Sequence, residues 1–129
     1  MLVEMDEVTL QVDSDVSAPR LSRSRLESIR SALGKRYDDV VLIVSELVSN
    51  SVRHSGADPQ SDGIGVKVSV RAGEIRVEVT DSGPGFSIDD PRGEGMGLAI
   101  VEKLADRWGM ADGRHRFVVW AELSSSPPD

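Results

Sequence analysis

Two neighbouring stretches of strict alternation constrain this chain more than anything else in it. Residues 64–71 (Ile-Gly-Val-Lys-Val-Ser-Val-Arg) and 74–80 (Glu-Ile-Arg-Val-Glu-Val-Thr) alternate between residues suited to a buried and to an open face. A period of two belongs to a strand with one buried side. Only Ala72-Gly73 separates the two runs, so together they predict a β-hairpin whose apolar side needs a covering layer.

The cover is legible on both sides of the hairpin. Residues 20–33 bring Leu21, Leu26, Ile29, Ala32 and Leu33 to helical spacing, with Gly34 placed to end that helix. A longer helix is expected from Asp38-Asp39, acidic residues suited to a helix start, to about His54, ahead of Ser55-Gly56-Ala57-Asp58-Pro59. A third helix is expected over about 96–108, with Leu98, Val101, Leu104, Ala105 and Trp108 on one stripe. Residues 7–12 alternate as a short edge strand, and 116–123 as a final strand. Strands and helices in this order predict an α/β chain of the α+β two-layer sandwich type. Its sheet is expected to be mixed, mostly antiparallel, with the helices packed on one face. Residues 1–123 are expected to form the domain, and 124–129, with Pro127-Pro128, a disordered tail.

Charge and composition exclude several functions. The 129 residues suffice for one domain. Fifteen basic against 22 acidic residues leave a formal charge of −7, which disfavours a nucleic-acid backbone or an anionic membrane surface as partner. With no cysteine there is no disulfide framework, no thiolate catalysis and no cysteine-held zinc. The opening residues lack the basic and apolar regions of a signal peptide, and the longest aliphatic run, Val40 to Val44, is far too short to span a membrane. A soluble, cytoplasmic protein is expected.

Three polar features stand out against this frame. On the long helix, Glu46 and Asn50 lie one turn apart, and His54 continues the row. They read either as solvated side chains beside the core, or as a carboxylate able to deprotonate a nucleophile next to an amide oxygen able to hold a hard cation. Asp81-Ser82-Gly83-Pro84-Gly85-Phe86 follows a strand directly. It reads as a turn, or as one carboxylate presented to a ligand that the backbone can approach closely, an acceptor suited to an exocyclic amine such as that of adenine. Gly93-Glu94-Gly95-Met96-Gly97-Leu98 opens the third helix. Its glycines either relieve packing or leave backbone N–H groups clear for a phosphate. It matches neither a Walker A loop nor a dinucleotide-binding turn.

Taken in order, the three features resemble the Bergerat-fold ATPases, the superfamily of gyrase, Hsp90, histidine kinases and MutL. Glu46 to His54 looks like its N-box, Asp81-Ser82-Gly83-Pro84-Gly85 like its G1 box, and Gly93 to Leu98 like its G2 box. The size of the domain, the ending Leu104-Ala105-Asp106-Arg107-Trp108-Gly109 and the last Val-Trp strand are similar to the stand-alone anti-sigma-factor serine/threonine kinases of bacteria. The resemblance implies ATP and Mg²⁺ as cofactors, with Glu46 as general base and Asn50 as the metal ligand. It implies that Asp81 accepts the adenine amine, backed by Gly83 and Gly85. Gly93, Gly95, Met96, Gly97 and Leu98 would lie on the phosphate side, under a lid formed by 87–94, with Arg53 and His54 as further phosphate-side residues.

The implied partners are a sigma factor and an antagonist protein that receives the phosphoryl group, in a partner-switching control of transcription, with homodimerisation as an option. Arg20, Arg23, Arg25 and Arg30 mark the first helix as a candidate docking face or as an ordinary solvated one. The competing class is a non-catalytic ATP-binding module that sequesters a partner. The chain departs from many relatives at two places: Phe117-Val118-Val119 stands where they carry a Thr, and Arg92 is followed by Gly93-Glu94 where they often place a basic residue nearer the glycines.

Overall fold

A computed structural model describes residues 5–55, 63–81, 98–113 and 116–126. The elements are β1 (Met5–Val12), α1 (Ala18–Arg25), α2 (Arg30–Leu33), α3 (Tyr37–Ser55), β2 (Ile64–Arg71), β3 (Glu74–Asp81), α4 (Leu98–Leu104), β4 (Arg107–Gly113) and β5 (Arg116–Ser124). Single 3₁₀ turns, Leu26–Ile29 and Gly34–Arg36, join α1 to α2 and α2 to α3.

The five strands form one sheet in the order β1-β2-β3-β5-β4. Every described pairing is antiparallel, in line with the mostly antiparallel sheet expected. Register carries the alternation straight across the sheet. Ile64 pairs with Asp81 and Asp81 with Phe117; the next rungs are Val66, Val79 and Val119, then Val68, Val77 and Ala121. These rungs, with Val8 and Val12 of β1, face the helices and are buried. Val40, Ile43, Val44, Leu47 and Val48 of α3 close over them, joined by Leu26, Ile29 and Leu33 from the preceding segment and Val101 from α4. The helices therefore form one layer and the sheet the other, as expected.

The hairpin turn is built from two residues of positive φ, Ala72 (51°) and Gly73 (79°), the pattern of a two-residue turn matched to the strand twist. Ala72 is the costly half of that turn, since an L side chain disfavours the left-handed region.

Two expectations are corrected. The first helix is not continuous over 20–33 but broken by the 3₁₀ turn at Leu26–Ile29. Its serines supply a reason: Ser22 Oγ donates to Ala18 O, Ser24 Oγ to Leu21 O and Ser28 Oγ to Arg25 O. Such hydroxyls compete with the backbone ladder and bend helices. Gly34, with φ 56°, does end α2.

The third helix stops at Leu104 instead of 108, and β4 follows at once. Trp108 belongs to that strand, opposite Ala121, while Met110 lies opposite Val119. Residues 98–105 have a helical period and 108–110 a strand period, and Trp108 satisfies both. Two glycines in Arg107–Gly113 weaken the strand signal further. Gly109 is there for a reason, because a Cβ at that position would lie 2.8 Å from Cζ2 of Trp120. At the far end β5 runs through Ser124, one residue past the expected boundary.

Candidate functional site

The helix α3 starts under tight control. Asp38 and Asp39 occupy its first turn, where negative charge suits the exposed N–H groups. Just before it Arg36, only 5% exposed, uses its guanidinium on three elements at once. Nη1 pairs with Asp39 Oδ2 at 2.7 Å, Nε donates to Ser124 O at 2.9 Å, and Nη2 to Leu104 O at 3.4 Å. The start of α3, the end of β5 and the end of α4 are thereby held together. Sequence reasoning passed over Arg36. The only local signal is a basic residue just ahead of an acidic helix start.

Three turns further along, α3 carries the polar row. Glu46 is half-buried, Asn50 is completely buried, and Arg53 is exposed. Residues four apart on a helix lie one turn apart on the same side, so Glu46 and Asn50 share one side of α3. The guanidinium of Arg53 donates to Asn50 Oδ1. Asn50 Nδ2 is buried without a hydrogen-bond partner among the described residues. An amide left in that condition costs about 1–3 kcal/mol, so the position is one where a polar group is held ready rather than one chosen for stability.

Asp81 sits at the end of β3 on the helix side of the sheet, 4% exposed, between Ile64 and Phe117 in register. A carboxylate in such surroundings is poorly hydrated, which strengthens any hydrogen bond it accepts. Leu98 opens α4 and packs, half-buried, against the core. Gly83, Gly85, Gly93, Gly95, Met96, Gly97 and the lid 87–94 lie outside the described residues, as does the side chain of His54.

The residues present suit a hard cation that completes its shell elsewhere. No cluster of three or more histidines or carboxylates converges among the described residues. What α3 offers is one buried carboxamide one turn from a carboxylate, and Mg²⁺ normally takes one or two protein oxygens together with phosphate oxygens and water.

The opposite face of the sheet is of another kind. A concavity of about 540 Å³ lies there among Thr9, Gln11, Gly65, Lys67, Thr80 and Arg116, and Asp81 also contributes to its lining. Beside it, Arg76 pairs with Glu78 at 2.8 Å and Glu122 at 2.7 Å and lies 4.8 Å over the Trp120 ring. Arg107 joins Glu74 and Glu122. These charges satisfy one another on the outer face, while Asn50 and Asp81 are buried on the helix side.

Of the four arginines expected on the first helix, Arg23 donates to Ser45 Oγ of α3 at 3.3 Å. Arg30, just past α1, pairs with Glu27 at 3.1 Å and lies 4.4 Å over the Tyr37 ring. Arg20 and Arg25 stay exposed.

A family model for the histidine kinase-like ATPase domain matches residues 11–122. Among curated proteins, the serine-protein kinase RsbW of Listeria innocua is 28% identical over 120 residues, covering 78% of this chain and 76% of the relative. The RsbW of Staphylococcus aureus is 26% identical over 121 residues, with the same coverage. Among solved structures, the RsbU and RsbW domains of Rv1364c from Mycobacterium tuberculosis superpose with a TM-score of 0.69 at 21% identity. That match covers 92% of this chain and 32% of the other, so the chain spans about a third of it. The catalytic domain of the histidine kinase ThkA superposes with a TM-score of 0.55 at 16% identity, covering 93% of this chain and 96% of that one. Among the described residues no helix is long and apolar enough to cross a membrane.

Proposed function

The chain belongs to the histidine kinase-like ATPase domain family, and we propose that it acts as an ATP- and Mg²⁺-dependent protein serine/threonine kinase. In this reading it phosphorylates an antagonist protein, sequesters a sigma factor and regulates transcription by partner switching in the cytoplasm. The observation that carries the proposal is on α3: a completely buried Asn50 whose Nδ2 has no hydrogen-bond partner among the described residues, one helical turn from the half-buried Glu46. The relatives named serine-protein kinase, similar over more than three quarters of the chain, support the same reading.

Bound Mg·ATP would supply the phosphoryl group and the metal charge that neutralises the phosphates. The chain's own residues divide the remaining work. Asn50 Oδ1 is the protein oxygen offered to the metal. Asp81, almost fully buried, would accept the hydrogen bond of the adenine amine, with Gly83 and Gly85 proposed on the base side. Gly93, Gly95, Met96, Gly97 and Leu98, with Arg53 and His54, are proposed as the residues that would hold the phosphates. Glu46 takes the proton of the attacking hydroxyl at a carboxylate oxygen, the base that orients a nucleophile in phosphoryl transfer.

The test is Glu46→Gln, which keeps shape and hydrogen-bonding reach but removes basicity. General-base contributions are typically ~10²–10⁴-fold, so transfer to a serine-bearing partner should fall by that order while ATP affinity stays near wild type. Wild-type protein that binds ATP yet transfers nothing to any copurifying partner would make the chain a non-catalytic ATP-binding module. Loss of ATP binding in step with activity would make Glu46 a metal-shell or structural residue instead.

A further inference from the structure

We infer that Arg53 is a resident cation on the metal-facing oxygen of Asn50, and that its displacement couples metal binding to nucleotide binding. The inference deepens the function proposed above and rests on it. Asn50 is wholly buried, and its carboxamide is held at one atom only: Oδ1 accepts from the Arg53 guanidinium, while Nδ2 has no partner among the described residues. Oδ1 is also the one atom of this side chain that can ligate a cation, since the amide nitrogen has no lone pair to give. A guanidinium and a divalent ion on the same oxygen repel strongly at such short range. Metal on Asn50 therefore requires Arg53 to leave.

Among the described residues nothing holds Arg53 in place beyond this one bond. Arg53 is exposed, and Asn50 is its only described hydrogen-bond partner. Once off Asn50, its guanidinium is a fork of donors suited to phosphate oxygens, at a distance set by a three-residue helical step. Metal alone must break the Arg53–Asn50 bond without compensation. A polyphosphate alone draws Arg53 away and bears the same cost. When both bind, the bond is broken only once, so each ligand raises the affinity of the other. The size of this mutual effect is the strength of the Arg53–Asn50 bond, and linkage makes it equal in both directions.

The experiment compares wild type with Arg53→Ala and Arg53→Lys, after circular dichroism has established the same fold. Mn²⁺ binding is followed by electron paramagnetic resonance with and without ATP, and ATP binding by calorimetry with and without Mn²⁺. Arg53→Ala should bind Mn²⁺ alone about three- to tenfold more tightly, the order of a typical net hydrogen bond, since the Arg53 donor is exposed to water. The mutual enhancement of Mn²⁺ and ATP should shrink by the same factor, with Arg53→Lys between the two. The Asn50 side-chain amide resonance, recorded without metal, should shift in Arg53→Ala, which the mere loss of a distant charge would not cause. Unchanged enhancement or an unmoved Asn50 resonance overturns the inference while leaving the proposed function standing. A wild type that binds no ATP at all overturns the proposed function, and the inference falls with it.

Discussion

Asp81→Asn separates recognition of the base from everything else the site does. The substitution preserves volume and leaves a side chain that still fits between Ile64 and Phe117. It replaces a charged acceptor with a group that presents a donor or a weaker, neutral acceptor. Asp81 is 4% exposed, and its two rung neighbours are 0% and 5% exposed, so little water remains to soften the change. A hydrogen bond to a charged group is worth about 1.5–3 kcal/mol. At about 1.4 kcal/mol per factor of ten, ATP affinity should fall roughly 10- to 150-fold, and the burial places the effect in the upper half of that range. Polarity also reverses at this one point. Adenine offers an amine where guanine offers a carbonyl oxygen, so the preference for ATP over GTP should shrink in the same variant. Isothermal calorimetry with both nucleotides measures the two effects, and thermal unfolding by circular dichroism reports the fold. An ATP affinity within twofold of wild type, on a protein that melts normally, would refute the assignment of Asp81 to the base.

Three further outcomes follow from the packing. Arg36→Met removes donors from Asp39, Ser124 O and Leu104 O, and because Asp39 keeps a side chain 29% exposed, the cost should be about 2–4 kcal/mol rather than that of a fully stranded buried charge. Unfolding in urea should show this as a lower midpoint with an unchanged slope, and an unchanged midpoint would show that the three contacts contribute nothing. Gly109→Ala forces a methyl against the Trp120 ring and should cost about 1–2 kcal/mol, with a shift in tryptophan emission; stability and emission both at wild-type values would contradict the contact. Asp15 accepts hydrogen bonds from the hydroxyl and then the N–H of Ser17, which hold its carboxyl below the ordinary value of 3.8. A depressed native pKa gives stability that is present above the unfolded value and is lost as pH falls through the native one. The stability gap between wild type and Asp15→Asn should therefore be constant near neutrality and close below about pH 4, and melting temperatures that stay parallel to pH 2 would exclude it.

Much of this was readable beforehand, and the reason is local. The apolar rungs of β2 and β3 appear in the alternation of 64–71 and 74–80 because a strand turns its side chains over at every residue, whatever lies beyond it. The placing of Glu46 and Asn50 one turn apart on α3 was likewise legible, since it follows from the geometry of a helix alone. Asp81 was visible as a carboxylate at a strand end, and its near-complete burial on the helix side follows from the parity of β3.

Backbone periodicity alone accounts for the strands, the long helix, the face each presents, and the row of polar side chains on α3. Long-range packing settles which periodicity prevails and which polar atoms find partners. Trp108 satisfies a helical stripe and a strand alternation equally, and pairing with β5 settled it as strand. The first helix satisfied its apolar spacing but broke where serine hydroxyls took its carbonyls. Arg36 reaches Leu104 and Ser124, 68 and 88 residues away, a contact no window along the chain contains. Asn50 is buried with its oxygen on Arg53 and its nitrogen on nothing described. Periodicity is short-range and set by covalent geometry, whereas the satisfaction of a buried polar atom depends on whichever distant element packs over it.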